Sequence, residues 1–150
     1  MGLDFKNKTV IITGGTRGIG KSLALVFNEA GATVIITGTK ETSAVNLDLI
    51  KNKRSIQYHQ LDFSLDESVK QFIHTVNELD KIDVLINNAG VNKLDSISEI
   101  SVDDWDWINT INLKGPFVLT QAVSEMMKKQ NSGKIINIAS IFGVVSKEKR

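Results

Sequence analysis

The run Thr13-Gly14-Gly15-Thr16-Arg17-Gly18-Ile19-Gly20 constrains this chain more than any other stretch. It lies between an apolar segment and one with helical apolar spacing. In such a turn one glycine permits a sharp strand-to-helix reversal, a second removes the side chain where a pyrophosphate approaches backbone, and a third lets helix and strand pack closely. The helix N-terminus that follows offers free N–H groups and the positive end of a dipole. The pattern predicts a dinucleotide-phosphate turn.

A glycine pattern alone is weak evidence, and its surroundings strengthen it. Thr9 to Thr13 reads Thr-Val-Ile-Ile-Thr, and Thr-Val-Ile-Ile-Thr-Gly recurs from Thr33 to Gly38. Continuous apolar runs of this kind belong to strands covered on both faces in a parallel sheet. Between them Ile19, Leu23, Val26, Phe27 and Ala30 follow a helical stripe that Gly31 stops. The alternation continues with a helix over 41–52, a strand from Ser55 to Leu61, a helix from Asp66 to Leu79 with Asp66 as N-cap, and a strand from Ile82 to Asn87. Val69, Phe72, Ile73 and Val76 form the buried stripe of the helix from Asp66. A long helix or kinked pair is expected from Val102 to Gln130, interrupted at Gly115-Pro116, and a fifth strand from Lys134 to Ala139. The third strand alternates polar and apolar residues, which suits an outer position. The fold class is α/β, a Rossmann-type doubly wound parallel sheet in the order 3-2-1-4-5, filling residues 1–150 as one domain.

Composition narrows the chemistry. The 150 residues carry 18 basic and 17 acidic side chains, a net charge of +1, so nothing resembles a nucleic-acid stripe. No apolar run approaches a membrane span, and the amino terminus has no signal core, which reads as a cytoplasmic start. With no cysteine there are no disulfides or thiolate sites. His59 and His74, the only histidines, lack metal-ligand spacing, and no metal is expected.

Further segments fall at strand ends: Asp62 after the third strand, Asn87-Asn88-Ala89-Gly90 after the fourth, Asn112-Leu113-Lys114-Gly115 in the long helix, and Ser140 after the fifth. Together with the Thr-Gly-x-x-x-Gly-x-Gly spacing of Gly14, Gly18 and Gly20, they resemble the short-chain dehydrogenase/reductase family, in look nearest the bacterial 3-oxoacyl-acyl-carrier-protein reductases. The resemblance covers the whole chain. It implies cofactor contacts from Gly14, Thr16, Arg17, Gly18, Ile19, Gly20, Thr39, Asp62, Phe63, Asn88, Ala89 and Gly90, with Asp62 toward the adenine amino group. It also implies catalytic roles for Ser140, as donor to the substrate oxygen, and Asn112, as support for a water in a proton relay.

Cofactor preference rests on an absence. Enzymes preferring NAD(H) place a carboxylate at the end of the second strand, whereas Gly38-Thr39-Lys40 stands there, with Arg17 nearby in the turn. This favours NADP(H), with NAD(H) possible. The family's Tyr-x-x-x-Lys motif, which supplies the proton, would follow Ser140, and the chain reaches Arg150 without it. Tyr58 is the only tyrosine and lies in the third strand. The expectation is therefore an amino-terminal portion of a longer reductase, truncated after its fifth strand and inactive alone, with Ile135-Ile136-Asn137-Ile138 as an unprotected apolar edge prone to association. The full-length form is expected to act on a small-molecule or acyl-thioester substrate as a homo-oligomer. The alternatives are a non-catalytic dinucleotide-binding module and, more weakly, a nucleotide-sugar epimerase or methyltransferase on a similar sheet.

Overall fold

The structure, a computed structural model, describes residues 4–41, 55–96 and 98–140. Strands β1 (Thr9–Ile12), β2 (Thr33–Gly38), β3 (Ile56–Gln60), β4 (Val84–Asn87) and β5 (Lys134–Asn137) form one sheet in the order β3-β2-β1-β4-β5. Every pairing is parallel. The helices are α1 (Gly18–Glu29), α2 (Asp66–Asn77), α3 (Val102–Asn109) and α4 (Gly115–Lys129), with a π turn over Thr110–Lys114 joining the last two. The helix expected over 41–52 falls, but for Glu41, outside the described residues.

Side chains alternate across a strand, and the two apolar sets of this sheet separate accordingly. Ile11, Ile35 and Leu85 share a register and join Phe72 and Val76 of α2 and Leu119, Val123 and Met127 of α4 in one core. Val10, Ile12, Val34, Ile36, Val84 and Ile86 face the other way, against Ala24 of α1. Strands β1, β2 and β4 are buried on both faces, as their uninterrupted apolar sequences require.

Several local expectations are corrected. The buried side of α1 is Gly20 and Ala24, with Leu23 and Phe27 packed beside them, while Ile19 and Val26 are 63% and 49% exposed. The stripe is rotated because Gly20 presses its backbone into the turn, and small residues lead the contact. Leu65, not Asp66, occupies the N-cap of α2, and Asp66 begins the helix as a first-turn acid facing the helix dipole. The break in the long helix is the π turn, which ends where Gly115-Pro116 begins. Ser101 caps α3 by accepting from the Asp104 N–H at 3.1 Å. Of the two histidines, His59 is half-buried beside the Phe72 ring, 6.1 Å between centroids, and this burial lowers its pKa. His74 is exposed opposite Glu78.

At the amino-terminal ends of the strands, Asp83 joins β1 to β4. Its carboxylate accepts from Lys8 Nζ and from the Thr9 N–H, both at 2.9 Å, with Lys81 Nζ at 3.7 Å. Burial pushes this carboxyl up, but the Lys8 hydrogen bond, the Thr9 N–H and the two ammonium charges outweigh it, so its pKa lies below the ordinary carboxylate value. A lowered folded pKa adds stability that is complete above the unfolded value of about 3.9 and is lost as pH falls through the folded one. Asp83→Asn should therefore lower unfolding free energy by about 1–2 kcal/mol at neutral pH. The deficit should shrink in acid, where the wild-type carboxyl is also protonated. Urea titrations at several pH values would check this, and a pH-independent deficit would contradict it.

Candidate functional site

Because all five strands run parallel, their carboxyl ends share one rim. The glycine turn leaves β1 there, Thr39 leaves β2, Asp62 and Phe63 follow β3, Asn88 to Gly90 follow β4, and Ser140 lies beyond β5. After β1 the chain crosses to β2 and later returns to pair β4 on the other side. Open sheets have their ligand crevice at such a switch point.

The start of α1 is built for an anion. Arg17 holds the N-cap position with extended backbone, φ −152° and ψ 170°, and no side chain caps the helix. The first turn carries no acid. Among the described residues no acceptor takes the N–H of Gly18, Ile19 or Gly20, and the first helical bond is Lys21 N–H to the Arg17 carbonyl. Orphan donors at the positive end of a 12-residue helix suit a phosphate. Gly18 has φ +54° and open space where a Cβ would lie, so backbone is what a ligand meets. Gly20 serves packing instead: a Cβ there would fall 2.4 Å from the Gly14 carbonyl oxygen and 2.5 Å from Asn88 Nδ2. These residues fit the diphosphate of a dinucleotide.

A polar lock holds the turn to β4. The buried Thr13 hydroxyl accepts from the backbone N–H groups of Asn88 and Ala89, each at 3.0 Å. Asn88 Nδ2 donates back to the carbonyls of Thr13 and Gly14 at 2.9 and 3.2 Å. On the β2 side Gly15 N–H donates to the Thr37 carbonyl at 2.9 Å. Asn87 Nδ2 donates to Thr120 Oγ1 at 3.0 Å and Asn137 Oδ1 at 2.8 Å, joining β4 to α4 and β5. Thr13 was not among the expected site residues, although a hydroxyl ending an apolar strand was a visible signal.

Other expected residues divide by what their side chains already do. One Asp62 oxygen accepts from the Ser64 N–H at 2.9 Å and its hydroxyl at 2.6 Å, shaping the turn into α2, while the other makes no hydrogen bond among the described residues. The Phe63 ring is buried against Gly115, so a cofactor role there narrows to its backbone. Asn112 clamps the loop after β4: its Oδ1 accepts the Val91 N–H and its Nδ2 donates to the Val91 carbonyl, both at 2.8 Å. Its backbone carbonyl lies in the π turn, where bonds run to the N–H five residues on. The residue four positions on is Pro116, which has no N–H, so the α-helical donor for that carbonyl does not exist. Ser140 is exposed at the same rim. Farther along the β4 loop, Lys93 Nζ reaches Asp104 at 2.5 Å and Asp95 at 3.8 Å, which fastens the loop to the start of α3.

Residues 8–149 match the short chain dehydrogenase family. The chain belongs to that family. A 3-oxoacyl-[acyl-carrier-protein] reductase of Aquifex aeolicus is 38% identical over 147 residues, 95% of this chain and 59% of that protein. A 3-oxoacyl-[acyl-carrier-protein] reductase of Synechocystis is 34% identical over 92% of this chain and 58% of its own length. A metagenomic short-chain oxidoreductase solved in complex with NADP superposes with a TM-score of 0.84 at 28% identity, over 95% of this chain and 66% of that one. The chain thus spans under two thirds of the length of the curated relatives it matches. Among the described residues of this short-chain dehydrogenase, no group of three His, Asp or Glu side chains is placed to hold a metal ion, and no helix is long and apolar enough to cross a membrane.

The Thr13 lock can be tested directly. Thr13→Val keeps the shape but leaves two N–H groups without their acceptor, which should cost about 2 kcal/mol or more and loosen the crevice. Thr13→Ser, retaining the hydroxyl oxygen, should lose much less. A Thr13→Ser loss as large as that of Thr13→Val in chemical unfolding would show that the hydroxyl oxygen is not the dominant contribution at this position, and a Thr13→Val loss near zero would remove the lock altogether.

Proposed function

We propose that this chain carries the NADP(H)-binding half of a carbonyl reductase or alcohol dehydrogenase, with Gly14, Thr16, Arg17, Gly18, Ile19 and Gly20 around the diphosphate. The observation that carries the reading is the uncapped start of α1, where three adjacent N–H groups have no acceptor among the described residues. Asn88, Ala89 and Gly90 bound the crevice beside it, and the free Asp62 oxygen suits an adenine amino group. Exposed Arg17 together with Gly38-Thr39-Lys40, a strand end without a carboxylate, favours the 2′-phosphate of NADP(H) over the ribose diol of NAD(H). The NADP named with the metagenomic relative supports the same choice.

The bound nicotinamide would supply the hydride. Ser140 would orient the substrate oxygen by donating a hydrogen bond to it. Asn112, in the π turn, would support a water of the proton relay while its side chain keeps the Val91 loop in place. Tyr58 cannot serve as the acid, because it is buried in β3 against backbone carbonyls. On this reading the proton donor would be a Tyr-x-x-x-Lys pair like that of the family, which these 150 residues do not contain, and the chain by itself would bind cofactor without reducing ketones. The names of the Aquifex and Synechocystis relatives favour an acyl-thioester carbonyl as substrate. Exposed Trp105, Leu113 and Phe117 along α3, the π turn and α4 favour a homo-oligomeric whole protein.

Equilibrium titration with both reduced cofactors tests the reading. NADPH should bind more tightly than NADH, and Arg17→Ala should weaken NADPH by roughly tenfold while changing NADH little. Equal weakening of both would remove Arg17 from 2′-phosphate recognition, and tighter NADH binding by the wild type would overturn the cofactor assignment.

A further inference from the structure

Tyr58 and Gln60 stand two residues apart on β3, so they leave the same face of the sheet. Both reach the turn that follows β2. The Tyr58 hydroxyl is 3.0 Å from the Gly38 carbonyl oxygen and also contacts that of Lys40, while Gln60 Nε2 donates to the Thr39 carbonyl at 3.1 Å. The Leu61 N–H adds a bond to the Gly38 carbonyl at 2.9 Å. Three consecutive carbonyls of the β2 turn are thus held from β3.

This arrangement fixes the opposite side of each peptide. In a planar trans peptide the C=O of one residue and the N–H of the next point in opposite directions. With the Gly38 and Thr39 carbonyls drawn toward β3 side chains, the N–H groups of Thr39 and Lys40 point away from β3. Neither has an acceptor among the described residues, and both residues are exposed. On the other side of β2 lie β1 and its glycine turn with Arg17.

The Tyr58 ring also occupies space beside Gly38. A Cβ at position 38 would lie 3.1 Å from Thr16 Cγ2, 3.2 Å from Tyr58 Oη and 3.3 Å from Tyr58 Cε2. A side chain there would press on both the ring and the glycine turn. Tyr58, together with Thr16, thus crowds the space that a side chain at position 38 would need, and the same Tyr58 hydroxyl holds the neighbouring carbonyls. Burial raises the Tyr58 pKa, so the hydroxyl remains a donor at neutral pH, and its single proton serves one carbonyl at a time.

We infer that Tyr58, assisted by Gln60, is the positioning residue that turns the Gly38–Lys40 segment into a donor site for the 2′-phosphate of NADP(H). The inference rests on the cofactor reading above and adds the residue that sets its selectivity. Tyr58 itself would not have to touch the cofactor. It acts by holding carbonyls back and presenting N–H groups forward.

Calorimetric titration with NADPH, NADH and adenosine 2′,5′-bisphosphate separates the possibilities, using wild type, Tyr58→Phe and Gln60→Ala. Tyr58→Phe retains the ring and removes one hydrogen-bonding hydroxyl. It should weaken NADPH and adenosine 2′,5′-bisphosphate by about threefold to tenfold while leaving NADH within about twofold. Gln60→Ala, at an exposed side chain, should shift the same ratio less and keeps the test open should the phenylalanine variant not fold. A wild type without preference for NADPH overturns the cofactor reading and this inference with it. A normal wild-type preference that survives unchanged in the folded variants, or equal loss of both cofactors, overturns this inference alone.

Discussion

The Thr13 hydroxyl is the contact on which the site depends. It ends β1 at the place where the chain must turn back, and there it accepts two N–H groups from the start of the β4 loop. Without it those groups would lie at a buried boundary with no acceptor, and the glycine turn would lose its connection to Asn88. The reciprocal Asn88 bonds reach the Thr13 and Gly14 carbonyls, and Gly20 fits against the Gly14 carbonyl and Asn88 Nδ2 with no room for a Cβ. The position of the α1 N-terminus is therefore set by this lock. Its free N–H groups follow from that placement.

Two further clamps repeat the same logic on either side. Side chains of β3 hold carbonyls of the β2 turn, and Asn112 holds both backbone groups of Val91. In each case a side chain satisfies backbone groups of a loop that leaves the carboxyl end of a strand. Polar side chains in this sheet serve mainly as backbone partners, and the crevice is lined by backbone that strands alone could not position.

The layers of the fold were legible in the sequence because buried parallel strands require continuous apolar runs, and the repeated Thr-Val-Ile-Ile-Thr-Gly supplies two of them. The strand order followed from the polar alternation around Tyr58, which places β3 at an edge. The exposed sides of helices were harder to see. Ile19 and Val26 fit an apolar stripe by spacing, yet the helix is rotated because close packing of Gly20 governs its orientation. Asn112 was visible as a residue of interest, but its bonds to Val91 depend on a loop returning to the helix across 21 positions. What Thr13, Tyr58 and Gln60 hold was hidden for the same reason: their partners lie on neighbouring strands, and only register brings them together.

The most direct test follows the amide resonances of the glycine turn while NADPH is added. If the orphan donors at the start of α1 hold the cofactor phosphates, the N–H signals of Gly18, Ile19 and Gly20 should move most and in proportion to one another, saturating with the binding isotherm. NADPH binding that leaves those three amides unmoved while others shift would contradict a phosphate site at this helix end.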